Sequence, residues 1–120
     1  MTTYLITFAA GAMDHVPDDE LPAVADAAHA VAREAIAAGV YVLAGGLVHA
    51  PASVVTPDGA VTEGTPPGAV SGITVVDVTT REDALAWAAK VAAACRCAQE
   101  VRELGSDPEL DAMLRGASAG

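Results

Sequence analysis

Basic side chains are scarce in this chain: 6 Lys and Arg stand against 16 Asp and Glu, a formal charge of −10. Binding to nucleic acid relies on clustered cations that neutralise phosphates, so this balance disfavours it, and it argues equally against an anionic membrane surface. Long apolar runs are missing as well. No window approaches the roughly 20 residues needed to span a bilayer, and the N-terminus lacks the basic region and cleavage site of a signal peptide. These absences predict a soluble, cytoplasmic protein. Cysteine is limited to Cys95 and Cys97, which would face opposite sides on a strand and lie about 200° apart on a helix. Neither a strain-free disulfide nor a metal site follows from that spacing, and reduced thiols are expected. Aromatics are also few, with one Trp, one Phe and two Tyr.

What remains is rich in alanine and branched aliphatics, the hydrophobic fraction being 52%. A chain of 120 residues fits one domain that buries roughly two-thirds of its unfolded surface. Its core must come from Val, Leu, Ile and Ala, a composition that suits helices lying close on a sheet.

Residues 3 to 9, TYLITFA, form a β-rich run closed by Gly11 and the polar segment MDHVPDDE. Over residues 21 to 38 the pattern becomes helical. Leu21, Val24, Val31 and Ala35 fall within about 60° of Ala28 on a helical wheel, with Asp26 and Arg33 nearly opposite. Gly39 supplies the exit. The mostly apolar strand VYVLAGGLVH follows, with Gly45 and Gly46 marking a bulge or a close backbone approach. In TPDGAVTEG, residues 56 to 64, the Pro-Asp-Gly run predicts a hairpin turn between ASVVT and AVTEG. TPPG then breaks the chain before the strand AVSGITVVDV. Thr80 opens a second helix by a capping box with Asp83, and Ala84, Trp87, Ala88 and Val91 form its apolar stripe. AQEVREL reads as a closing strand. Ser106 with Glu109 repeats the capping signature, predicting a short helix to about Arg115 before a flexible tail, GASAG.

The order β-α-β-β-β-α-β plus a last helix predicts an α+β sandwich, with helices on one face of an antiparallel sheet. Leu5 beside Ile6, and Val75 beside Val76, place large apolar side chains on both sheet faces. A homodimer that covers the second face is the economical arrangement.

TPDGAVTEG, SGITVVDVTTREDALAWAAK and QEVREL, in that order and preceded by AAHAVAREAIAAGVYVLAGGL, resemble the DGPF-type branch of the YCII-related proteins. The family hallmark is Asp-Gly-Pro-Phe followed by a Glu, with a Gly-led strand, an Ala-Leu-x-Trp-Ala helix core and a terminal Glu-Val-Arg-Pro. Asp58, Gly59, Glu63, Glu100 and Arg102 match. Ala60 and Val61 replace the Pro-Phe, and Glu103 stands where the last Pro is expected. The resemblance covers nearly all of residues 4 to 104. It implies a ferredoxin-like fold that dimerises into an α/β barrel. The expected division is therefore an α+β domain over residues 1–105, followed by the short C-terminal helix and flexible tail over residues 106–120. For chemistry it implies a small-molecule lyase or isomerase with a histidine and an acidic partner, or a protein that only binds or regulates.

His29 is the first candidate for proton transfer. It lies about 100° from the apolar centre of its helix, where one side can pack and the other reach a ligand, and an imidazole exchanges protons near neutral pH. The competing reading is a partly buried His bonded to a backbone carbonyl. Glu63 and Asp58 are its candidate acidic partners, although turn chemistry alone accounts for Asp58. Arg102 shares a strand face with Glu100 and could hold an anionic group or simply form an ion pair. His49, Gly45 and Gly46 complete the expected substrate-binding set, His49 being equally readable as a solvated loop residue. His15 lies in an acidic loop and is expected to be exposed. No histidine spacing suggests a metal, and no phosphate loop or dinucleotide fingerprint is present. The expected activity is therefore a cofactor-free elimination, isomerisation or related proton transfer on a small organic molecule. The alternative is a dimeric module that binds a ligand or a protein partner without turnover.

Overall fold

The computed structural model describes residues 1–48 and 50–119, so His49 lies outside the described residues. Among the described residues, six strands and three α-helices follow one another as β1 (Thr2–Ala9), α1 (Leu21–Ala37), β2 (Tyr41–Gly46), β3 (Ser53–Val55), β4 (Val61–Glu63), β5 (Val70–Val78), α2 (Arg81–Cys95), β6 (Glu100–Glu103) and α3 (Pro108–Ala119), with one 3-10 turn at Asp18–Glu20. Four strands form an antiparallel sheet in the order β2-β5-β1-β6, and β3 pairs only with β4 in a separate hairpin. The expected α+β class with an antiparallel sheet is what the chain adopts. That sheet is open, with β2 and β6 as its edges.

Strand parity decides which residues meet the helices. Tyr4, Ile6, Val76 and Val78 form one face of the central pair and pack with Ala84, Ala88, Val91 and Cys95 of α2. The opposite face carries Leu5, Thr7, Ile73, Val75 and Leu43, with Arg102 and Glu100 beside them on β6. Neither α1 nor α2 covers it. Partners Thr3 and Asp77 are joined there by a hydrogen bond from the Thr3 hydroxyl to Asp77 Oδ1.

The helix ends follow local chemistry. The α1 helix closes on a left-handed Gly39 (φ 75°), with Gly39 N–H donating to Ile36 O and Val40 N–H to Ala35 O, both at 3.0 Å. In α2 the Thr80 hydroxyl accepts from Asp83 N–H at 3.1 Å, as the capping signature predicts. At α3 the cap is Asp107 rather than Ser106: Leu110 N–H donates to Asp107 Oδ1 at 2.9 Å. Pro108 suits the first helical position, which shifts the cap to the residue before it. The helix continues past Arg115 to Ala119, through residues expected to be tail.

The hairpin and α3 stand away from the sheet and its two helices, and the radius of gyration is 16.6 Å. A compact chain of this length would have about 13.5 Å. Leu110, Met113 and Leu114 of α3, and Val54, Val55 and Val61 of the hairpin, are exposed. No helix among the described residues is long and apolar enough to cross a membrane.

Candidate functional site

Two short-chained surfaces face each other where α1 crosses the sheet. The inward side of α1 presents Ala25, Ala28, Ala32 and Ala35, and β2 opposite it reads Ala44, Gly45, Gly46. Close-packed interiors leave few voids, but alanine and glycine on both walls do not fill the gap between a helix and a sheet. A cavity of about 440 Å³ results. Its floor is Thr74 and Val76 of β5, its far wall is Trp87, Val91, Ala94 and Cys95 of α2, and Phe8, Met13, Val31 and Tyr41 close the rest.

Three of the chain's four aromatic residues, Phe8, Tyr41 and Trp87, line this space. A volume of this size, apolar and aromatic with a few polar groups, matches small-molecule sites in general. The polar contributions come from His29, Tyr41, Thr74, the Trp87 indole and the Cys95 thiol. Burial, then the neighbouring Cys97, pushes the Cys95 thiol up, so Cys95 is a protonated wall residue and a poor nucleophile at neutral pH. The Cys97 thiol is likewise raised by burial, partly offset by a Gln99 hydrogen bond. Above the cavity, Lys90 on α2 bonds Glu34 on α1 at 3.2 Å and sits 5.8 Å from the Trp87 ring centre. Arg96 similarly pairs with Glu20 at the opposite end of α1.

Among the residues expected to form a site, the structure brings His29, Gly45 and Gly46 to this cavity. His29 is exposed on its outer side and contributes to the wall on its inner side, the boundary position its helical angle predicts. The acidic candidates are elsewhere. Glu63 lies on the hairpin, where both carboxylate oxygens accept from Ser53 Oγ, its cross-strand partner, at 2.8 and 2.9 Å. Asp58 sits in the hairpin turn, accepting from the Thr56 hydroxyl and from Ala60 N–H at 3.1 Å. The Thr56 bond first, then the Ala60 amide, holds its carboxyl below the usual range. Neither acid lines the cavity.

Arg102 is also apart from His29. It projects from the sheet face opposite the helices and pairs with Glu100 at 3.0 Å, both side chains about two-thirds exposed. Arg102, Glu100, Thr7 and Gln99 line a second, more open depression at the end of β1. His15 is exposed. Among the described residues, no group of three or more His, Cys, Asp or Glu side chains is gathered as a metal site would require.

Sequence reasoning missed Phe8, Tyr41, Thr74 and Trp87 as cavity residues. A usable signal was present: the few aromatics of an alanine-rich chain fall on three different elements, all turned to the helix side of the sheet. Comparison with protein-family models and with curated proteins found no match.

Proposed function

We propose that this chain is a cofactor-independent small-molecule enzyme of lyase or isomerase type, in which His29 transfers a proton to or from a ligand held between α1, α2 and the sheet. The observation that carries this reading is the His29 imidazole in the wall of a mostly apolar, aromatic-lined cavity. An imidazole takes and returns protons near neutral pH, and an apolar surround strengthens every polar contact made to the reacting atom. Tyr41 and Thr74 supply hydroxyls that can orient a carbonyl or enol oxygen. Proton exchange α to a carbonyl tests the reading without knowledge of the natural substrate. Decalone in heavy water should incorporate deuterium faster with the protein present, and His29→Gln should reduce that exchange by about a hundredfold or more. Exchange unaffected by the substitution would remove His29 from the chemistry.

The finer fold reading is a ferredoxin-like unit of the YCII-related, DGPF type that pairs into a dimeric α/β barrel. Strand order, crossed by two helices on one face, is in keeping with it. The homodimer has a separate support in surface area. A folded monomer of 12.0 kDa exposes about 6,000 Å², whereas this chain exposes 7972 Å². The difference exceeds the roughly 800 Å² per partner of a standard interface.

A second reading, a dimeric ligand-binding module without turnover, is favoured by one observation: among the described residues, no carboxylate lines the cavity to orient His29. In that case decalone binds but its exchange rate stays at the solvent value.

A further inference from the structure

We infer that the ligand of the His29 cavity is a neutral, compact, largely apolar molecule with one hydroxyl or carbonyl group, and not the anion that Arg102 would have suited. The inference rests on the reading that this cavity is the functional site. It does not depend on whether catalysis occurs there.

Charge decides the matter. Among the described residues no Lys, Arg, Asp or Glu lines the cavity, and Lys90, which lies over the ring of the wall residue Trp87, is engaged with Glu34. An anion entering would shed its water with no fixed cation to receive it, His29 carrying charge only while it holds the transferred proton, and a buried unpaired charge is strongly unfavourable. A cation would meet the same difficulty, since no carboxylate lines the space. The net charge of −10 also repels anions before they arrive. Arg102, the side chain best suited to a carboxylate, is on the other sheet face and paired with Glu100.

Shape points the same way. Aromatic rings at Phe8, Tyr41 and Trp87 offer flat apolar walls, and the alanines of α1 leave room for a ring system between them. The polar groups on the walls, those of His29, Tyr41, Thr74, the Trp87 indole and the Cys95 thiol, are few among apolar neighbours and suit one oxygen of an otherwise apolar molecule.

Trp87 is the chain's one tryptophan and part of the cavity wall, so its emission reports occupancy directly. The probes are adamantanol, adamantanecarboxylate and adamantylammonium, which share one apolar cage and do not absorb with indole. Adamantanol should change Trp87 emission saturably, and both ions should bind at least about tenfold more weakly. Equal or tighter binding of either ion overturns the inference, as does the absence of any saturable change with the alcohol. Ala32→Phe and Gly46→Leu should each abolish the adamantanol response. Gly46 has no atom within 4 Å of an added Cβ, so that variant should fold even if the first does not. An adamantanol response that persists in a folded Gly46→Leu variant places the ligand elsewhere and overturns the inference. If adamantanol binds while wild-type protein leaves decalone exchange at the solvent rate, the enzymatic reading fails and this inference stands.

Discussion

The ring of Phe8 on β1 lies against the α-carbon of Gly72, its register partner on β5, so closely that a Cβ at Gly72 would overlap Phe8 Cε1 and Cζ. Glycine is needed here for space and not for an unusual dihedral, because Gly72 is not among the positive-φ residues. The contact sets the ring that forms one wall of the cavity. Gly72→Ala should therefore destabilise the fold by about 1–3 kcal/mol through overpacking, as forced shifts in a packed core do. Urea unfolding would show it as a lower midpoint at unchanged slope. Phe8→Leu in the same chain should recover part of the loss, and a double variant no better than the single one would place the strain elsewhere.

Asp58 gives the hairpin turn a defined acid response. Its folded carboxyl is held low by the Thr56 hydroxyl and the Ala60 amide, so the stabilisation it provides is complete above its unfolded value of about 3.9 and is lost as pH falls through the lower folded value. The Ala60 amide proton should titrate with a midpoint below about 3.9 in an NMR pH series. A midpoint at or above that value would contradict the hydrogen bonds described. Asp58→Asn should remove the transition while leaving the helix–sheet body unchanged.

Much of this fold was legible because its signals are local. Gly39, Thr80 and the Pro57-Asp58-Gly59 turn fix the ends of α1, the start of α2 and the hairpin through chemistry contained within a few residues. The stripe of Ala84, Ala88 and Val91 gave the buried side of α2 in the same way. The site was less legible. A helical wheel says that Ala28, Ala32 and Ala35 turn inward, but not that they leave a void, because filling depends on what β2 places opposite. Alternation on β6 puts Arg102 and Glu100 on one face, yet only the pairing of Leu5 with Arg102 and Ile6 with Val101 shows that this face is turned from His29. Glu63 is near the strand in sequence and distant from the cavity because its hairpin pairs with itself.

The sheet face turned away from the helices carries the next prediction. Leu43 lies on it opposite Val75 and is 49% exposed, a large apolar side chain with nothing over it in one copy of the chain. If two copies meet there, Leu43→Lys puts an unpaired charge into the interface, and the dimer should weaken by about a hundredfold or more. Sedimentation velocity should then show a monomer at concentrations where the unaltered chain is dimeric. Thermal unfolding of the separated subunit should show whether its own core, built on the other face from Ile6, Val76 and Val78, suffices alone. A dimer of unaltered strength would mean that the exposed apolar residues of the hairpin and α3 make the interface.

Glu63 separates the chemistry within one chain from chemistry shared between two. In a single chain it is bonded to Ser53 on the hairpin and does not line the cavity, so Glu63→Gln should change decalone exchange by less than about threefold. It should also loosen the hairpin by about 0.2–1 kcal/mol, the range of a cross-strand polar pair, visible as faster amide exchange at Val54 and Thr62. A larger fall in decalone exchange, on the scale of the His29→Gln loss, would have a specific structural meaning. The hairpin of a second copy would then reach the cavity and supply the carboxylate that the first copy lacks. Mixing the inactive His29→Gln and Glu63→Gln chains would distinguish that outcome from a folding defect, because a heterodimer with one intact site should regain up to about a quarter of the activity, half of the dimers being mixed and each mixed dimer holding one complete site of two.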